Sequence, residues 1–83
     1  MNGLTLNTAR DWAGKGIRIN AVAPGVIGTP SNPAIKDQMI AETPIGRLGE
    51  PEEVAEAVLW LCSDHASFVV GTTLRVDGGL ALR

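Results

Sequence analysis

Two short strand-like patterns stand far apart in this chain, and their separation constrains the fold more than any other feature. In residues 17–23, isoleucine and alanine alternate with other residues until Pro24 removes a backbone donor. Residues 73–77, TLRVD, alternate in the same way before two glycines. Strands separated by about fifty residues cannot form a tight hairpin. The sequence therefore predicts a parallel pair joined by a right-handed crossover.

Three helical patterns account for much of the remaining chain. The first ends at Gly14 and Gly16, the second has Asn32 as its N-cap, and the third begins at Pro51 with glutamates in its first turn. The third is apolar nearly all round, so we expect it to be buried on most sides. The order helix, strand, helix, helix, strand indicates an α/β fold. The predicted helices cover residues 4–13, 33–42 and 51–63.

One parallel strand pair does not make a complete domain. Two-stranded sheets are marginal in water, and parallel sheets occur almost only with several strands and both faces covered. The first strand lacks the charges that blunt an exposed edge, so a further strand should pair with it. The chain has 83 residues, a single cysteine and no His/Cys cluster, so neither a disulfide nor a metal can compensate. We expect residues 1–83 to form one partial domain, incomplete by itself.

Charge and hydropathy exclude two classes of partner. Seven basic and nine acidic residues are dispersed along the chain and give a net charge of −2, so we expect no nucleic-acid partner. The longest apolar run has six residues, Ala57 to Cys62, which is far short of a membrane span. No charged leader precedes an apolar core. A lone cysteine is typical of a reducing compartment, so the sequence predicts a cytoplasmic protein without a membrane partner.

Candidate catalytic residues are few. The chain has no tyrosine and one histidine. His65 follows the third helix, where it suits the negative end of the helix dipole, and Cys62 has no neighbouring cation to activate its thiol and should be packed. Glu52, Glu53 and Glu56 resemble a general-acid cluster, but a solvated first turn explains them better. The sequence predicts no catalytic residue and no metal ligand.

The glycine pair in GKGIRI invites comparison with the dinucleotide-binding fingerprint. The third glycine of that motif would fall at Ile19, and the pair precedes a strand instead of following one. A helix stop explains Gly14 and Gly16 better. No Walker-type loop is present, since no glycine-rich segment is followed by lysine and then serine or threonine. The chain offers no diphosphate site of its own.

Three longer segments carry a family resemblance: RINAVAPGVIGTP, TPIGRLGEPEEVAEAVLWLCSD and ASFVVGTTLRVDGG. In order and spacing they resemble the carboxyl-terminal third of the short-chain dehydrogenase/reductase family, most closely the 3-oxoacyl-carrier-protein reductases. The resemblance implies a Rossmann-type, doubly wound parallel sheet. This chain would hold its last two strands, their helices and the substrate-lid segment. It also implies NAD or NADP as the cofactor of the full-length enzyme.

The same resemblance implies cofactor-binding roles for four residues. Pro24 and Gly25 would shape the wall beside the nicotinamide. The backbone of Ile27 would bond the carboxamide of that ring, and the Thr29 hydroxyl would contact the same group. Residues 30–47 would form the mobile lid that selects the substrate.

The rest of the family's machinery is missing from this sequence. Absent are the glycine-rich phosphate loop, the residue that selects NAD or NADP, the catalytic serine, and the Tyr-x-x-x-Lys motif, whose lysine would precede Met1. Tyrosine is the acid and base of this chemistry, and a chain without it cannot donate that proton. We expect the chain alone to be inactive and to bind no cofactor.

Two hypotheses about the chain remain open at this point. It is part of an NAD(P)-dependent oxidoreductase that reduces carbonyls or oxidises secondary alcohols, or it is a stand-alone, self-associating binding or assembly module without catalysis. In the family, the helices beginning near Leu4 and Pro51 and the strand at residues 72–77 line subunit contacts, so self-association is expected in either case. Trp12 or Trp60 should lie in such an interface. A complementary N-terminal fragment is the other expected partner.

Overall fold

The computed structural model describes residues 3–82, and its elements follow the predicted order. Helix and strand alternate first, two helices follow, and the second strand comes near the end. The elements are α1 Gly3–Ala13, β1 Ala21–Pro24, α2 Pro33–Glu42, α3 Pro51–Cys62 and β2 Thr73–Val76, with short 3-10 helices at Asp64–Ala66 and Leu80–Leu82. The predicted α/β fold is confirmed.

The two strands form a parallel pair, which confirms the arrangement expected from their separation. Ala21 stands opposite Thr73, and Pro24 stands opposite Val76. β1 begins at Ala21, later than the predicted start at residue 17. The reason is that β2 begins only at Thr73, so the residues before Ala21 have no strand opposite them.

The side chain of Asn20 replaces strand pairing just before β1. Its amide nitrogen donates to the carbonyl of Val69 at 3.0 Å, and its amide oxygen accepts from the N–H of Thr72 at 3.0 Å. One amide side chain therefore satisfies a donor and an acceptor of the segment that leads into β2. The two segments stay aligned although regular pairing has not yet begun.

Arg18 attaches the C-terminal end of α3 to the sheet. Its Nη1 donates to the carbonyl of Leu61 at 2.7 Å, and its Nη2 donates to the carbonyl of Ser63 at 3.1 Å. Carbonyls at a helix end lack partners within the helix, and a cation there also favours the helix dipole. Arg18, three residues before β1, thus holds the C-terminal end of α3 near the sheet.

The apolar side chains of the chain are largely exposed. Leu59 of α3 is 69% exposed, and Phe68 is fully exposed. The prediction that α3 is buried on most sides is therefore wrong, and Cys62 is exposed instead of packed. The reason is that, among the described residues, α3 packs mainly against the two strands and the short 3-10 helix that follows it, which leaves much of its surface uncovered. Among the described residues, the buried apolar ones are Ala9, Leu61 and Ala66.

The shape of the chain agrees with this exposure. The radius of gyration is 15.4 Å, whereas a compact domain of the same length would have one of about 12 Å. The principal extents are 48 × 25 × 20 Å. An elongated chain leaves more of its surface uncovered, so the architecture is that of a domain that is incomplete by itself.

Candidate functional site

The predicted cofactor-binding residues begin at the carboxyl end of β1, where ligands bind in open α/β sheets. Pro24 is the last residue of β1. The N–H of Gly25 donates to the carbonyl of Val76 at 3.1 Å, so the contact between the strands continues by one residue. A Cβ added at Gly25 would lie 2.9 Å from the Cα of Asp77. Glycine is therefore required at Gly25 by a close backbone approach.

Ile27 forms an isolated parallel bridge with Gly49. The N–H of Gly49 donates to the carbonyl of Val26, and the N–H of Gly28 donates to the carbonyl of Gly49, both at 3.0 Å. The bridge thus uses the backbone groups on either side of Ile27. The N–H and carbonyl of Ile27 itself face away from the bridge and make no hydrogen bond within residues 3–82. One donor and one acceptor are left available side by side.

Thr29 follows Ile27 in the same loop and is exposed. Its hydroxyl has no hydrogen-bond partner in the part of the chain that the structure describes. Gly28, between them, has a φ of +84°, a left-handed conformation that glycine adopts without steric cost. The loop therefore presents a free hydroxyl close in sequence to a free backbone donor and acceptor.

The segment after this loop contains α2, which is attached mainly through its ends. The side chain of Asn32 caps its N-terminus, since the N–H of Ala34 donates to Asn32 Oδ1 at 3.0 Å. α2 has no extensive packing against another helix or strand of the described chain. At its C-terminus, Thr43 is buried, and its hydroxyl donates to the carbonyl of Met39 at 2.7 Å.

Asp77 organises the turn that follows β2. Its Oδ1 accepts from the N–H of Gly79 at 3.0 Å, and its Oδ2 accepts from the N–H of Ala81 at 3.1 Å. An aspartate that bonds the backbone two residues further on forms an Asx turn. In addition, the N–H of Ile45 donates to the carbonyl of Gly78 at 3.0 Å. The turn after β2 therefore holds the chain that leaves α2.

An ion pair joins the end of the predicted lid to α3. Arg47 Nη1 and Nη2 donate to the two carboxylate oxygens of Glu53 at 2.7 and 3.1 Å. Glu53 Oε1 also accepts from the N–H of Glu50 at 3.0 Å. The Arg47 hydrogen bond, and secondarily that from Glu50, lowers the pKa of Glu53 from 4.5 to about 2. Glu53 therefore links the end of the predicted lid to α3 through its ionised carboxylate. The earlier interpretation of Glu53 as part of a solvated first turn did not include this contact.

A cavity of about 270 Å³ lies between these segments. Of the four predicted cofactor-binding residues, only Ile27 lines it, and Pro24, Gly25 and Thr29 lie outside its lining. Thr43, Ile45 and Arg47 line the cavity from within the predicted lid. No site role was predicted for the other lining residues, although an aspartate followed by two glycines after a strand is a turn signal that could have identified Asp77. Besides Ile27, the lining residues are Val26, Thr43, Ile45, Arg47, Gly49, Glu53, Arg75, Val76, Asp77, Gly78 and Gly79.

Residues 3–82 contain no candidate metal centre. No three His, Cys, Asp or Glu side chains there are grouped so that they could hold a metal ion. Cys62 and His65 are both exposed. Within the same residues, every helix is too short or too polar to cross a membrane.

A parallel strand pair with a polar loop at its carboxyl end is the arrangement found in α/β proteins, including those of the Rossmann type. Residues 1–81 match the family model described as enoyl-(acyl carrier protein) reductase. The chain belongs to the short-chain dehydrogenase/reductase family, and it resembles the 3-oxoacyl-carrier-protein reductases within it.

Individual relatives show how much of the family's length is present. A tropinone reductase homolog of Arabidopsis thaliana is 48% identical over 99% of this chain, which covers 33% of that protein. The 3-oxoacyl-[acyl-carrier-protein] reductase of Thermotoga maritima is 43% identical, with 96% of this chain matched to 34% of its own.

A solved structure from Agrobacterium tumefaciens, of a protein assigned as a 2-deoxy-D-gluconate 3-dehydrogenase and holding NADP, superposes with a TM-score of 0.89. It is 39% identical, and the match covers 98% of this chain and 35% of that protein. The chain therefore spans about a third of the length of the proteins it matches, and its fold is that of the carboxyl-terminal portion of theirs.

Proposed function

We propose that this chain supplies the nicotinamide-side wall and the substrate lid of an NAD(P)-dependent short-chain oxidoreductase, and that it is catalytically silent by itself. The observation that carries the proposal is the free backbone N–H and carbonyl of Ile27, held outward by the bridge to Gly49. Those two groups belong to the loop at the carboxyl end of β1, where open α/β sheets bind ligands.

The free groups of the loop fit one end of the cofactor. A nicotinamide carboxamide has an NH₂ donor and a carbonyl acceptor, which complement the carbonyl and the N–H of Ile27. The unpartnered hydroxyl of Thr29 can donate or accept at the same group. Bound NAD(P) supplies or accepts the hydride. The loop's own role is to orient the nicotinamide ring, because rate depends steeply on the alignment of reacting atoms.

The chain lacks the groups that complete the reaction. Its sequence contains no tyrosine to act as the proton donor and no glycine-rich fingerprint for the diphosphate. Without a diphosphate site at a helix N-terminus, a dinucleotide loses its strongest anchor. We therefore propose that the isolated chain has no catalytic activity and does not bind NAD(P) tightly.

The partner that we propose is the segment carrying the missing strands. A second cavity, of about 370 Å³, lies between α3 and the segment that leads into and begins β1. Its lining includes the apolar Val22, Val58 and Leu61 as well as the polar Arg18 and Asn20. In a larger parallel sheet, both faces and both edges of an interior strand are covered. The cavity and the unpaired edge of β1 together provide a surface for a further strand and helix.

A chimera tests the proposal. This chain is fused in place of the matching third of the Thermotoga maritima reductase, and NADPH-dependent reduction of acetoacetyl-CoA is measured. We expect activity from the chimera and none from the 83-residue chain alone. Turnover by the isolated chain, or a folded chimera without activity, would contradict the proposal.

A matched pair of variants in the chimera tests the loop itself. Thr29→Val removes the free hydroxyl and should raise the KM for NADPH severalfold, because a hydrogen bond contributes about 0.5–1.5 kcal/mol. The control is Thr8→Val, at an exposed threonine on α1 whose hydroxyl donates to the carbonyl of Leu4, and it should leave that KM unchanged. Equal effects of the two substitutions would remove Thr29 from the cofactor site.

The exposed apolar surface favours a second candidate, a self-associating module without catalysis. Trp12 and Trp60 are 42% and 47% exposed, and large apolar patches on soluble chains mark interaction surfaces. On this alternative the chain forms a stable oligomer and never combines with a complementary segment. Titration with NADH tests for a different kind of module, a regulator that retains cofactor affinity. Such a regulator would change the fluorescence of NADH, whereas an oxidoreductase fragment and an assembly module would both leave it unchanged.

A further inference from the structure

The turn at residues 77–79 contacts both functional parts of the proposed site. We call this segment the glycine turn, and we call residues 43–45, which follow α2, the lid exit. We infer that Gly78 is a positioning residue: the glycine turn fixes the lid exit relative to residues 25–29, which we call the cofactor loop. The role of residues 30–47 as a substrate lid rests on the proposed function. The contacts of the glycine turn do not depend on that role.

The glycine turn touches the lid exit closely. The N–H of Ile45 donates to the carbonyl of Gly78 at 3.0 Å. A Cβ added at Gly78 would lie 2.7 Å from Ile45 Cγ2 and 3.0 Å from Thr43 Cγ2. A Cβ added at Gly79 would lie 3.1 Å from the Cβ of Pro44. All three residues of the lid exit therefore pack on the glycine turn, at distances that leave no room for a methyl group on Gly78.

The other side of the same turn packs on the cofactor loop. A Cβ at Gly25 would lie 2.9 Å from both the Cα and the Cβ of Asp77. Asp77 is held in place by its own hydrogen bonds to the N–H groups of Gly79 and Ala81. Consecutive residues of one rigid turn thus contact the loop and the lid exit, so the turn sets the distance between the two.

Nothing else in the described chain fixes α2 as firmly. α2 lacks extensive packing against the other helices and strands. Gly28 before it and Gly46 after it both have a φ of +84°, and the space around each is open. The lid exit, placed just before the second of these glycines, is therefore the attachment nearest to α2, whereas the Arg47–Glu53 ion pair lies beyond Gly46. Displacing the lid exit would therefore move the whole of α2.

Hydrogen exchange on the chimera tests the inference without any bound cofactor. Gly78→Ala should speed exchange of the Ile45 amide at least tenfold relative to the Ala57 amide inside α3. The matched control is Gly16→Ala, since Gly16 has a φ of +83° but nothing lies within 4 Å of its added Cβ. Gly16→Ala also places alanine in an unfavourable left-handed backbone conformation, but without a steric clash. It should therefore leave the ratio of the two exchange rates unchanged.

A second substitution distinguishes a local clash at Gly78 from general unfolding of the Gly78→Ala variant. Ile45→Ala removes the Cγ2 that the new methyl group would meet, so the double variant should return the exchange ratio toward that of the unmodified chimera. Adding Ile45→Ala to Gly16→Ala should give no such recovery. If Gly78→Ala and Gly16→Ala have equal effects, or if Ile45→Ala fails to rescue, Gly78 does not position the lid.

The chimera separates this inference from the proposed function. In an active chimera, Gly78→Ala should raise the KM for acetoacetyl-CoA at least fivefold, with kcat and the KM for NADPH changed less than twofold. An inactive chimera whose exchange ratio responds as described would refute the proposed function and retain the positioning role. An active chimera with an unchanged KM for acetoacetyl-CoA would refute the positioning role alone.

Discussion

Gly25 and Asp77 lie in such close contact that a Cβ on Gly25 would stand 2.9 Å from the backbone Cα of Asp77. Gly25 begins the loop that we propose to bind the cofactor, and Asp77 begins the turn that contacts residues 43–45. The two residues are far apart in sequence and adjacent only because β1 and β2 are parallel and end together. The carboxyl edge of the strand pair is therefore tightly packed at this point.

Gly25→Ala should destabilise the chimera by about 1–3 kcal/mol, the usual cost of forcing extra volume into a packed site. Backbone atoms of Asp77, which cannot rotate away, meet the added methyl group. Urea denaturation followed by circular dichroism measures the change. The control is Gly14→Ala, where the nearest atom to the added Cβ, the Asp11 carbonyl oxygen, lies at an ordinary 3.8 Å. A loss no larger than that of the control would show that the contact can relax.

Arg18→Lys should lower the free energy of unfolding of the chimera by about 1.5–3 kcal/mol, the range for hydrogen bonds made by charged groups. Lysine has no planar fork, so it cannot reach the carbonyls of Leu61 and Ser63 together. Arg10→Lys is the control, because Arg10 is exposed and its Asp11 partner lies 3.8 Å away. Equal stability of the two variants would mean that the Arg18 contacts contribute nothing.

The Arg47–Glu53 pair should make stability depend on pH below neutrality. The pKa of Glu53 is about 2 in the folded chain and 4.5 ordinarily, so its contribution is complete above pH 4.5 and is lost as the pH falls toward 2. Glu53→Gln should flatten the stability profile across this window, measured as urea midpoints. Glu52→Gln, in the same helical turn but outside the ion pair, should leave the profile unchanged. A profile that Glu53→Gln does not alter would assign the pH dependence to other carboxylates.

The isolated chain should self-associate through its uncovered apolar surface, in sedimentation velocity at rising concentration. Leu59→Gln should weaken association by about tenfold or more, since burying a leucine is worth about 1.5–3 kcal/mol. Leu59 is 69% exposed on α3. Ala55→Gln, at an exposed position of the same helix, changes polarity with little loss of apolar area and should have a smaller effect. A monomer at all concentrations would contradict this prediction.

The sequence by itself determined the elements and their order. Local signals placed the helices closely, because Asn32 and Pro51 mark helix starts and the glycines after α1 mark its end. The long separation of the strands predicted parallel pairing. The family followed from segments that lie along nearly the whole chain. These properties depend on neighbours in sequence or on topology, so they can be read without coordinates.

Only the tertiary structure decided the contacts between distant residues. Apolar periodicity predicted a buried α3, but burial depends on what lies opposite, and the elements that pack on α3 leave much of its surface uncovered. The outward backbone of Ile27 follows from its bridge to Gly49, and the low pKa of Glu53 follows from Arg47. The attachment of Ile45 to Gly78 joins residues that no local pattern connects. Such contacts are fixed by how the elements pack, and packing is not a local property of the sequence.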